Sequence, residues 1–191
     1  MYDRNDYDLR IEQHRQRTDA INGHAWKSTV TLPMPAPRHT LAKLLRALPS
    51  TQYDFRPDAG GRSLGELAWH LAEGDAYMSF GIERGGFNMD LKPPSIERPR
   101  SIEGLAPAFE QVHQEAVARV RKLKPEDLDR AVEFFGRAIP IRDILWDMII
   151  FHTIHHRGQL ALMCRLAGGE APGLYGPNRE ETAAMRAGAA R

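Results

Sequence analysis

Three of the chain's eight histidines stand within one short run, Phe151-His152-Thr153-Ile154-His155-His156-Arg157-Gly158-Gln159. On a helix advancing 100° per residue, with His152 at 0°, His156 falls at about 40° and His155 at about −60°. Ile141, Leu145, Met148, Ile149, Leu160 and Met163 all fall within about 80° of His152. The apolar stripe of this helix therefore carries His152, with His155 and His156 on its flanks. Burying imidazoles in such a stripe is costly unless each finds a partner. A metal ion is one such partner, because histidines four apart place two ring nitrogens on one helical face. The triplet between His152 and His156 is Thr-Ile-His, so the glutamate that serves as base in the metalloprotease version of this spacing is missing.

Two ligands need a third. His70, in Leu67-Ala68-Trp69-His70-Leu71, borders the apolar face of an earlier helix made by Leu64, Leu67, Leu71 and Met78. Gly74 and Gly81 lie near the same azimuth, and small residues there leave room beside a metal for a ligand. Tyr77, about two turns on from His70, is placed to offer a hydroxyl to that space. Glu73, at i+3, is placed to be a fourth ligand or to accept an imidazole N–H. Three neutral imidazoles around one ion leave a coordination position open, which is the mark of a catalytic rather than a purely structural site. An all-histidine set favours Zn, Ni, Cu or Fe(II) over Mg or Ca, which prefer oxygen; Zn or Ni is expected, with Fe or Mn as alternatives.

Other residues read as structural. His14, His24, His39 and His113 show no partner pattern and read as surface or satisfied side chains. Arg157 faces away from the histidine stripe, near 140°, and reads as a surface or interface ion pair. Cys164 reads as a packing residue, since no base stands beside it. Trp146, Ile150, Ile154 and Ala161 form a second apolar stripe on the same helix, which calls for full burial or a dimer contact.

Four helical segments position these residues. The first runs over about Thr40–Leu48, with Leu41, Leu44, Leu45 and Leu48 at helical spacing before Pro49. Ser63 with Glu66 three residues later is a capping box, and it opens a second helix that ends at Gly85-Gly86. A third covers about Ser101–Leu123, with Pro107 inside it as a kink or a late start. Val132–Ile139 reads as a brief extended crossover. The fourth covers about Ile141–Ala167 and stops at Gly168-Gly169. With no convincing strand pattern, the fold class is all-α, a four-helix bundle over residues 36–177. Residues 1–35 form an extension, either a peripheral helix around Leu9–Ile21 or a mobile segment, and residues 178–191 a tail with a short polar helix.

Composition bounds the partners. The 191 residues suit one domain. Lys plus Arg number 26 against 25 Asp plus Glu, which argues against a nucleic-acid binder. A single cysteine excludes an intrachain disulfide. The longest greasy stretch, Ile144–Ile154, is broken by Asp147 and His152 and is too short to span a bilayer. A charged N-terminal stretch without an apolar core shows no signal peptide, so a cytoplasmic protein without a membrane partner is expected.

The run His152-Thr-Ile-His-His-Arg-Gly-Gln159 with its continuation LALMCRLAGG, the upstream LAWHLAEGD and the downstream APGLYGP together resemble the DinB-like (DinB/YfiT) superfamily of metal-dependent proteins. The resemblance covers about Thr40–Pro177. Its pattern of a histidine, three residues, then His-Arg-Gly-Gln implies His156 rather than His155 as the partner of His152, and its helix-two histidine corresponds to His70. It implies a four-helix bundle, often a homodimer, holding a divalent metal through three histidines. It further implies thiol-dependent chemistry, either transfer of a low-molecular-weight thiol onto an electrophilic small molecule or thiol-assisted isomerisation. Transfer is the expected reaction, with Tyr77 or Glu73 placed to orient substrate or move a proton. The competing expectations are a metal-dependent hydrolase using the same site and a non-catalytic, stress-associated interaction protein.

Overall fold

The computed structural model describes residues 37–88 and 90–189; the extension expected over residues 1–35, with its helix around Leu9–Ile21, and His14 and His24 lie outside them. The elements in order are α1 (Pro37–Arg46), α2 (Leu64–Arg84), α3 (Ile102–Val120), a 3-10 turn (Pro125–Asp129), strands β1 (Ala131–Phe134) and β2 (Arg137–Pro140), α4 (residues 141–166) and α5 (Arg179–Ala189). The bundle is α1 to α4. Among the described residues, no helix is long and apolar enough to cross a membrane.

Helix α2 is the central rod. It packs against α3 on one side and against α4 on another, while α1 packs on α3. Its start follows from the sequence: the Ser63 side chain accepts from Glu66 N–H at 3.2 Å and Glu66 Oε2 accepts from Ser63 N–H at 2.9 Å. Such a cap stabilises a helix by about 1 kcal/mol. Its end is Gly85, in the left-handed region at φ 78°, with Gly86 N–H donating to the Gly81 carbonyl. Helix α3 runs through Pro107, so the proline marks neither end of it.

The main core joins Leu41, Leu44 and Leu45 of α1, Leu64, Trp69 and Leu71 of α2, Leu105, Phe109 and Val112 of α3, and Leu160 and Cys164 of α4. A smaller core gathers Ile82, Val132, Ile141 and Ile144, with Phe87, Phe134 and Met148 against it. The second core exists because the expected crossover is a hairpin. β1 and β2 pair antiparallel, Val132 opposite Ile139, around a two-residue turn in which Phe135 and Gly136 both have positive φ. That is the backbone a tight hairpin needs. A parallel bridge between Gly86 and Glu133 ties the hairpin to the end of α2.

Helix α4 is not uniform. Ile141–Asp143 is α-helical, Ile144–Phe151 is π-helical, and His152–Leu166 returns to α. Bonds that close at i+5 advance each residue by less than 100°. Hence the wheel fails N-terminal to His152: Ile141 and Ile144 are fully buried, while Leu145, Met148 and Ile149 are only partly so.

Candidate metal centre

On α4 the histidines stand between the two cores, starting with the first residue after the π segment. His152 and His156 are four residues apart in regular α-helix, and His70 meets them from α2 across the helix interface. The ring centroids are 4.9 Å apart for His70 and His152, 4.9 Å for His70 and His156, and 4.4 Å for His152 and His156, each pair close to edge-on. His70 Nε2 and His152 Nε2 are 3.1 Å apart. One nitrogen from each of the three rings lies within 4.8 Å of the others. The three predicted ligands are thus brought together. His155, exposed on the flank, touches only the outer edge of the group, 4.8 Å from the His156 ring.

The far sides of the rings fix their roles. His156 Nδ1 is 2.6 Å from Gln159 Oε1. An amide oxygen only accepts, so Nδ1 carries the proton and Nε2 presents a lone pair. His70 Nδ1 faces Glu73 Oε2 at 3.6 Å, which directs its Nε2 toward His152. Glu73 therefore stands where an acceptor of the His70 N–H belongs. Sequence reading gave Gln159 no role, although its i+3 position relative to His156 was a usable signal. His152 Nδ1 is buried with no hydrogen-bond partner.

Burial decides the protonation state. Desolvation, then the neighbouring His156 and His70 rings, pushes the His152 pKa down to about 4. Desolvation also lowers that of His156, against the opposing pull of the Gln159 hydrogen bond. Neutral imidazoles with converging lone pairs are the form a transition metal ligates. The donor set therefore fits a divalent ion, and three nitrogens leave a position open.

The surrounding residues depart from expectation in three places. Gly74 does make room near the site, but for a ligand ring itself: a Cβ there would lie 3.3 Å from His152 Cε1 and Nδ1. Gly81 makes no room beside the histidines; a Cβ there would overlap the Phe87 ring. Arg157 is not a surface residue. It is 1% exposed, with Nη1 donating to Thr40 Oγ1 at 2.6 Å and its guanidinium 4.7 Å from the Tyr175 ring. The face turned away from the histidines is covered by α1 and the loop after α4, which periodicity cannot reveal.

The remaining residues are placed as follows. Tyr77 lines a groove along the C-terminal half of α2 with Phe80 and Phe87. Cys164 is buried in the core, where desolvation raises its pKa, so it packs as expected. His113 has a partner, Asp75 Oδ2 at 2.7 Å. The second stripe of α4 is only partly covered: Trp146 and Ile154 are exposed, joined by Phe151, while Ile150 and Ala161 are half-buried.

Comparison with known proteins follows the same lines. The chain is 30% identical over 147 residues to the Bacillus subtilis protein YrdA, named as uncharacterized, with 74% of this chain and 83% of that one aligned. It is similar to a solved DinB-like protein of Bacillus cereus at 27% identity and a TM-score of 0.61, covering 73% of this chain and 91% of that one. A second DinB-like structure, YjoA of Bacillus subtilis, shares the fold at 23% identity and a TM-score of 0.60, covering 76% of this chain and 95% of that one. The sequence model of the DinB superfamily matches residues 34–160, which include all three histidines, and the chain belongs to that superfamily.

Proposed function

We propose that this protein holds one divalent transition metal ion, Zn or Ni, through His70, His152 and His156, and transfers a low-molecular-weight thiol onto an electrophilic small molecule. The observation that carries this reading is the convergence of three imidazole nitrogens from two helices within 4.8 Å of one another. The ion, when bound, lowers the pKa of a thiol and so provides a nucleophile near neutral pH. The chain's own contribution is preparation. Burial keeps His152 and His156 neutral. Gln159 holds Nδ1 of His156 and Glu73 faces Nδ1 of His70, so both rings present Nε2. Hydrolysis is the weaker reading, because Thr153, Ile154 and His155 occupy the triplet where a glutamate base would stand, and Glu73 is turned to His70. The exposed second stripe of α4 supports a homodimer formed through that face.

The test is conjugate formation from several low-molecular-weight thiols and a model electrophile, with metal added, for the wild type and His152→Ala. Metal-dependent turnover that the substitution abolishes supports the reading. Stoichiometric metal without turnover for any thiol would turn the assignment toward a non-catalytic interaction protein.

A further inference from the structure

The three converging histidines share a second property: each has its other ring nitrogen closed to an incoming ion. His152 Nδ1 is buried, with Gly74 so near that a Cβ there would lie 3.3 Å from it. His156 Nδ1 is 2.6 Å from Gln159 Oε1. His70 Nδ1 faces Glu73 Oε2 at 3.6 Å, and 21% of the His70 side chain is exposed. The nitrogens left to bind an ion are the three that converge, and they belong to half-buried rings.

His155 differs from all three. It is exposed, and its ring meets the outer edge of the His156 ring with centroids 4.8 Å apart. Among the described residues, neither of its nitrogens is engaged in a hydrogen bond or an ion pair. It directly precedes His156 and stands three residues after His152, a spacing that makes neighbours on a helix surface. It lies outside the group of mutually close nitrogens, so it is not a fourth member of the final ligand set.

That position bears on the rate of metal exchange and not on affinity. A hydrated divalent ion reaches a half-buried site by exchanging its waters for protein donors one at a time. A donor at the mouth fills a vacated coordination position before the inner ligands are all engaged. It lowers the barrier to loading and to removal equally, because it is absent from both end states. A neutral imidazole is a suitable donor for a transition metal. Glu73 is the other exposed donor at the rim, but it is turned to His70.

We infer that His155 is an entry ligand, which takes the ion from water beside His156, passes it to the set of His70, His152 and His156, and receives it again on removal. The inference rests on the metal reading of those three histidines and not on thiol transfer.

The experiment is stopped-flow uptake of Co(II) by the untagged, metal-free full chain, followed by visible absorption. Removal of the bound ion by excess EDTA and the equilibrium affinity are measured on the same preparations. His155→Gln is expected to slow uptake and removal alike, each about tenfold, with the affinity unchanged. His155 is exposed, so the substitution leaves the fold intact, as circular dichroism would verify. Equal rates for wild type and His155→Gln overturn the inference. So does an affinity that falls while removal quickens, which would make His155 a resident ligand. Slowing in both directions by Glu73→Gln but not by His155→Gln overturns it too, and moves the entry to α2. A wild type that takes up no Co(II), or whose uptake His152→Ala leaves unchanged, sinks the metal reading and the inference with it.

Discussion

Gly74 and His152 are in van der Waals register across the α2–α4 interface, so closely that a methyl group at residue 74 would sit 3.3 Å from the His152 ring. The glycine is the space in which a ligand ring is seated. Gly74→Ala is therefore expected to split two quantities that usually move together. Helix propensity favours alanine by about 1 kcal/mol, so the metal-free protein keeps or gains stability. The displaced imidazole loses its alignment, and metal affinity falls about tenfold, a misplacement worth roughly 1.4 kcal/mol. Chelator competition and thermal melting of the same samples read the two terms separately.

Arg157 offers a test of what a buried cation contributes. Its Nη2 is buried without a hydrogen-bond partner, and desolvation lowers its pKa. Such a group is expensive to bury. Arg157→Met, which keeps the stem and drops the charge, is expected within about 1 kcal/mol of wild type or above it. Arg157→Ala, which empties the space between α1 and Tyr175, is expected to lose about 2–4 kcal/mol. Denaturant melts of both variants check the ordering; a larger loss for methionine than for alanine contradicts it.

The His152 ring gives the metal-free protein a defined pH dependence. Its folded pKa of about 4 lies below the unfolded value of about 6.5. Between those values the unfolded chain binds more protons than the folded one, so stability rises with pH. This contribution is complete above pH 6.5 and is lost as pH falls toward 4. Melting temperatures of the metal-free protein across that window should fall more steeply for wild type than for His152→Gln. Parallel slopes would show that the ring is not desolvated as described.

The π segment arranges the exposed face. Trp146 and Phe151, five residues apart, meet edge-on with centroids 5.2 Å apart, a spacing that the i+5 register produces. They are 45% and 47% exposed, with Ile154 at 41%. If this face joins two copies, Ile154→Asp converts the dimer to a monomer in light-scattering measurements at micromolar concentration. A wild type that is already monomeric there removes the dimer.

The features set by local chemistry were legible in the sequence. The Ser63–Glu66 box, the Gly85 stop and the histidine spacing each depend on residues within a turn of one another, and each appears in the structure. The His70 pairing was legible from its place on the border of an apolar face together with the family pattern, whose helix-two histidine it matches. The π segment was not legible, since Ile144–Phe151 has no composition that distinguishes i+5 from i+4 bonding. Arg157 and Gly81 were misread for a shared reason: what covers them, Thr40 and Tyr175 in one case and Phe87 in the other, comes from elsewhere in the chain. Periodicity tells which face a side chain occupies, and only tertiary packing tells what meets it.

His70, His152 and His156 are expected to share one ion. X-ray absorption at the metal edge of untagged, Zn-loaded protein tests it most directly. The result expected is one Zn per chain with three imidazole nitrogens at about 2.0–2.1 Å, reduced in number when His70 is replaced by alanine. A spectrum without imidazole scattering, or one unchanged by that replacement, would contradict it.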